Sequence, residues 1–175
     1  MRGWMCSVVL CGLASVVSAA EPPLDEHLKP FAPLVGKTWK GEFKNSTADK
    51  PMFDTMRWEV ALKGKAIRTR HAVNDGIYGG ETLILWDPVK KQIVSYYFTT
   101  AGFRTEAAYE IKEGKFYSTE LVHGLPGGVT EVTAVSEFKE GRFHVKSRRK
   151  VNDTWVDGHE VTYRQVADDT PIPVD

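Results

Sequence analysis

Residues 53–73 read FDTMRWEVALKGKAIRTRHAV. Met56, Trp58, Val60 and Leu62 alternate with Arg57 and Glu59. After Gly64, Ile67, Thr69, His71 and Val73 alternate with Arg68 and Arg70. A period of two sends successive side chains to opposite faces of an extended chain, one wet and one buried. A glycine between two such runs supplies the positive φ of a tight turn, so this stretch predicts an antiparallel hairpin.

The same pattern continues in both directions. Upstream lies TWKGEF at 38–43. Downstream lie ETLILW (81–86), QIVSYYFT (92–99), FRTEAAYEI (103–111), KFYSTELV (115–122), VTEVTAVSEF (129–138), RFHVKSRRKV (142–151) and TWVDGHEVTYRQV (154–166). That makes ten strands. The gaps carry turn chemistry: NDGIYGG at 74–80, DPVKK, TAG, KEGK, GLPGG, KEGR and ND. The twin KEGKF and KEGRF read as one hairpin device used twice rather than as a sequence repeat. No gap after residue 51 is long enough for the crossover that parallel strands require. An open ten-stranded meander would leave two bare edges, and closure removes them. The expected fold is therefore all-β, an antiparallel up-and-down barrel of about ten strands. A Greek-key sandwich is the second choice and a jelly roll the third.

Before the strands, Leu24, Leu28, Phe31 and Val35 fall near helical spacing, while Pro30 and Pro33 forbid a long helix. Residues 21–36 thus predict an entry segment with a short helical turn. The barrel is expected over 37–167 and a tail over 168–175. Arg2 and the uncharged run WMCSVVLCGLASVV at 4–17, followed by small residues, have the layout of a secretory signal peptide spanning 1–20. The run is shorter than the ~20 residues of a membrane span. Both cysteines, Cys6 and Cys11, lie in this leader, so the mature chain is expected to hold no thiolate. The expected location is the periplasm or the medium of a bacterial cell. The chain has 23 basic and 23 acidic side chains. No basic excess points to nucleic acid, and no later apolar run points to a membrane span.

Gly36, Trp39 and the closing GHEVTYRQV resemble the calycin superfamily, which includes lipocalins and fatty-acid-binding proteins. Two residues separate the glycine from the tryptophan here, where lipocalins have one. The resemblance implies that Trp39 plugs one end of the barrel and that Arg164 lies across its indole face, a favourable cation–π contact. The stretches LKGKAI, YGGETLILWDPVKKQIVSYYFTTAGF and GHEVTYRQV resemble more closely a family of exported bacterial lipocalin-like proteins of unassigned activity. Nitrobindin-like haem barrels are more distant in shape, and their haem-ligand motif is not evident.

Taking the more apolar parity as inward places Trp58, His71, Tyr96, Tyr109 and Tyr163 in the interior, with Arg149 and His159. An aromatic wall with a few polar groups suits a small hydrophobic or amphipathic ligand. The same aromatics would equally serve as filler of a closed core. Arg149 has two readings, an anchor for a ligand carboxylate or a rim residue in water. His71, His123, His144 and His159 lie in no metal-binding pattern, so neither metal nor cofactor is expected. Asp157 and His159 alternate on one strand without a serine elbow to complete a triad. GLPGG lies between strands and reads as a hairpin tip, which with GIYGG (76–80) would border the barrel mouth. Three readings stay open: a ligand carrier, an enzyme of the haem-dependent or cofactor-free isomerase type using His71 or His159, and a filled barrel acting on a protein partner through its outer surface.

Overall fold

In a computed structural model of the chain, residues 23–174 are described. The proposed leader at 1–20 lies outside them. Ten strands run β1 (Lys37–Phe43), β2 (Phe53–Ala61), β3 (Ala66–Val73), β4 (Tyr78–Asp87), β5 (Gln92–Thr99), β6 (Arg104–Lys112), β7 (Lys115–His123), β8 (Val129–Lys139), β9 (Arg142–Val151) and β10 (Thr154–Val166). Each pairs antiparallel with its neighbour in sequence, and β1 pairs with β10 from Thr38↔Val166 to Phe43↔Val161. The sheet is a closed up-and-down barrel with no free edge. Among the described residues no helix is long and apolar enough to cross a membrane.

Two-residue turns set the register of the tightest hairpins. Glu113–Gly114 and Glu140–Gly141 both have positive φ at both positions. This is the backbone hand that matches strand twist, and it explains why KEGK and KEGR recur.

One end of the barrel is closed. The helical turn expected from the entry segment is a single 3-10 turn, Glu26–Phe31. Asp25 caps it by accepting from the His27 backbone N–H. The Asp25 N–H donates to Gly64 O, and the His27 ring stacks on Trp86 at 3.7 Å. Leu28, Phe31 and Leu34 are buried beneath the strands. Phe31 stacks on Phe116 at 4.6 Å and packs near Trp58. Trp39 is 1% exposed and donates from Nε1 to Leu34 O at 3.0 Å. The chain thus folds its own N-terminal segment into one mouth of the barrel.

The opposite end carries the loops 44–52, 74–77, 100–103, 124–128 and 152–153. Both glycine-rich tips singled out in the sequence, GIYGG and GLPGG, belong to it. The tail after β10 returns along the outer wall. Asp168 accepts from the Thr38 N–H and from Arg57, and Pro173 and Val174 reach Gly76 and Gly79 beside β4.

Candidate functional site: an open cavity with a buried hydrogen-bond relay

Strand alternation decides what the interior contains. Asp54, Met56 and Trp58 share the inner face of β2 with Val60, and Ile67, Thr69 and His71 oppose them on β3. The register carries the same face to Tyr78 and Thr82 on β4, Tyr97 on β5, Thr105 and Tyr109 on β6, and Ser118 and Glu120 on β7. It then reaches Ala134 on β8, Phe143, Ser147 and Arg149 on β9, and Tyr163 on β10. These side chains do not fill the barrel. They enclose a cavity of about 870 Å³ that opens at the loop end. That volume lies within the range of small-molecule sites. Its floor is aromatic, built by Phe31, Trp58 and Phe143.

A hydrogen-bond relay runs along one side of the cavity. Asp54, 3% exposed, receives a bond from Tyr163 Oη on Oδ2 at 2.7 Å and meets His71 Nδ1 with Oδ1 at 2.8 Å. His71 Nε2 is 2.7 Å from Tyr97 Oη, and Tyr97 Oη donates to Tyr78 Oη at 2.8 Å. Two glycines leave the room for it. A Cβ on Gly80 would lie 2.6 Å from the Tyr97 ring, and one on Gly41 would lie 2.8 Å from the Tyr163 ring. Burial pushes the Tyr78, Tyr97 and Tyr163 hydroxyls above their ordinary range, so all three stay protonated donors.

Glu120 lies on the same side and accepts from Thr105 Oγ1 at 3.2 Å. Burial raises its carboxyl pKa, and the Thr105 bond opposes that only in part. Tyr109, pushed above the ordinary tyrosine range by burial, meets Ser95 Oγ at 3.2 Å.

The facing wall carries charges of both signs at its rim, Lys146 and Arg149 on β9 and Asp157 and Glu160 on β10, with Glu160 paired to Lys44 and Lys146. β10 bulges between Asp157 and Glu160, which puts Asp157, Gly158 and His159 on the cavity together. Ser147 Oγ accepts from the His159 backbone N–H at 2.9 Å and meets His159 Nδ1 at 3.1 Å. His159 is reached by solvent through the mouth, yet protein crowds its ring, and this lowers its pKa. Arg149 stands on the inner face between Val132 and Val156, exposed at the opening. Among the described residues no acidic side chain lies within ion-pair distance of it.

Of the side chains expected inside, Trp58, Tyr109, Arg149 and His159 line the cavity, while His71 and Tyr163 stand behind its surface in the relay. Tyr96 is a correction. It pairs with Leu83 and Glu106 on the outer face, and its neighbour Tyr97 points inward. Both parities of IVSYYFT are apolar, so alternation offers no contrast there. Arg164 is a second correction. It is exposed on the outer face opposite Lys40 and Arg142, and the cation nearest the Trp39 ring is Lys37 Nζ at 5.8 Å. Sequence reading missed Asp54, Tyr97 and Glu120. An acid on an apolar parity was the available signal for Asp54 and Glu120, because a buried carboxyl requires partners.

These features define a class: a closed ten-stranded antiparallel barrel with one end plugged and an internal cavity open at the other. Its fold is similar to that of Rv2717c from M. tuberculosis, known from a crystal structure. The TM-score is 0.64 at 10% identity, over 82% of this chain and 99% of that one. The chain matches no family model and no curated protein sequence.

Proposed function

We propose that the protein is an exported, calycin-like barrel that holds one small hydrophobic or amphipathic molecule in its cavity. The observation that carries this reading is the hollow interior itself: about 870 Å³, aromatic at the floor, open at one end. A filled core would have no such volume at native packing density. The apolar part of the ligand lies on Phe31, Trp58 and Phe143, and its polar end faces the rim, where Arg149 is free to pair with a carboxylate. The apolar run at 4–17 supports export to the periplasm or the medium. A native mass spectrum of the protein purified from its own periplasm tests the reading. Retained small-molecule mass is expected; a bare mass, together with failure to take up a fluorescent fatty acid, would count against it.

The relay favours a second reading, a cofactor-free enzyme that moves protons at the cavity wall. His71 with a carboxylate behind it and a tyrosine before it has the arrangement of an oriented acid–base group. As a haem ligand His71 does not fit, since both ring nitrogens are engaged. Deuterium uptake α to the carbonyl of a bound ketone in heavy water would reveal such proton transfer, and its absence would leave the carrier alone.

A further inference from the structure

Donor counting along the relay fixes what its last member offers the cavity. Tyr97 has one hydroxyl proton and gives it to Tyr78. The 2.7 Å approach of His71 Nε2 to Tyr97 Oη therefore needs a proton on Nε2. The 2.8 Å approach of His71 Nδ1 to Asp54 Oδ1 needs another, and Asp54 Oδ2 already accepts from Tyr163. The donors of the relay thus run outward from His71 through Tyr97 to Tyr78. Tyr78 receives from Tyr97, and no hydrogen-bond acceptor for its own proton exists among the described residues. Its ring stacks on Phe103 and it lines the cavity.

We propose that Tyr78 Oη is a hydrogen-bond donor site for a neutral carbonyl oxygen of the ligand, with its direction set by the Asp54–His71–Tyr97 relay behind it. The inference rests on the cavity being a ligand site. A carbonyl is the matching acceptor because it brings two lone pairs and no charge. The surroundings of Tyr78 supply no net positive charge. His71 is paired with the Asp54 carboxyl, Glu120 is the other acidic group on that side, and the lining cations Lys44, Lys146 and Arg149 belong to the β1–β2 loop and to β9. A carboxylate is therefore drawn to the rim and a ketone, ester or amide oxygen to Tyr78. His71 is a positioning residue here: it touches no ligand and acts through Tyr97.

Two probes differing only at the acceptor test this. The first is 2-acetyl-6-(dimethylamino)naphthalene and the second its 2-ethyl analogue, each titrated into the full-length mature protein and into Tyr78→Phe. The ketone is expected to bind about tenfold tighter than the ethyl compound to the wild type, the size of one good hydrogen bond. Tyr78→Phe should erase that preference while leaving ethyl-probe affinity within about twofold, since the Phe103 stacking survives. The carbonyl infrared band of the bound ketone should lie lower in the wild type than in the variant. Equal binding of both probes, or a preference that survives Tyr78→Phe, would overturn the Tyr78 assignment and leave the carrier reading standing. Binding of neither probe would overturn both.

Discussion

Tyr163 on β10 reaches across the glycine of β1 to donate a 2.7 Å hydrogen bond to Asp54 on β2. The bond spans the seam where the barrel closes, and Gly41 is the residue that lets it pass. Both groups are buried, so removing one leaves the other short of a partner. Tyr163→Phe should destabilise the fold by ~1–3 kcal/mol, the cost of an unsatisfied buried acceptor. A lowered urea midpoint with unchanged slope is the expected result. An unchanged midpoint would mean that water replaces the hydroxyl.

Gly41→Ala attacks the same seam sterically. The new Cβ would meet Val161 Cγ1 at 2.5 Å and Tyr163 Cδ1 at 2.8 Å. Neither contact can hold without displacement, and overpacking of this kind costs ~1–3 kcal/mol. In Tyr163→Ala the ring contact is gone but the Val161 contact remains. A double-mutant cycle should therefore show a smaller penalty for Gly41→Ala in that background, with strict additivity as the contrary outcome.

Trp39→Ala should cost ~3–5 kcal/mol, as truncations of buried tryptophan do. The indole packs edge-on against Phe138 at 5.8 Å and ties the barrel floor to Leu34. Denaturant unfolding followed by circular dichroism checks this. Because the residue lies on the closed end, the loss should appear in stability rather than in ligand affinity measured well below the midpoint.

Much of this architecture was legible in the chain, and the reason is local. Alternation in FDTMRWEV and KAIRTRHAV is strong because arginine and glutamate cannot exchange faces with tryptophan and isoleucine. Glycine-bearing gaps then leave only hairpins. Legibility failed where local contrast vanished. SYYF offers two tyrosines with equal claims to the interior, and only the pairing of Tyr97 with Thr82 and Thr105 decides between them. It failed again where function depends on long-range proximity. Asp54, His71, Tyr97 and Tyr163 come from four strands, and no spacing within one strand announces that they touch. The bulge at Asp157–Glu160 breaks the parity rule altogether, bringing consecutive residues onto the cavity.

Arg149→Ala should leave stability within ~0.5 kcal/mol, because the side chain is exposed and unpaired. It should nevertheless weaken a bound fatty-acid probe by about tenfold, the loss of one charge-assisted contact at a partly solvated rim. The matching alcohol should lose little. Isothermal titration of the acid and the alcohol against both proteins makes the comparison. Equal losses for the two would place Arg149 away from the ligand's charged end.

Glu120 sets a pH dependence whose sign can be worked out. Burial raises its folded pKa above the unfolded value of about 4.3. The folded state then binds this proton more tightly than the unfolded chain does. Its contribution is fully present below about 4.3 and is lost as pH rises through the folded value. Glu120→Gln keeps the shape and an acceptor for Thr105 but has no proton to lose. Urea midpoints of the two proteins should therefore agree best in acid and diverge as pH rises toward neutrality, with the variant the more stable. His159 shifts in the opposite sense, since its lowered pKa makes the fold gain stability as pH rises toward its ordinary value. That effect is common to both proteins and cancels in their difference. Parallel midpoint curves from pH 4 to pH 8 would mean that water entering through the mouth keeps the Glu120 carboxylate solvated.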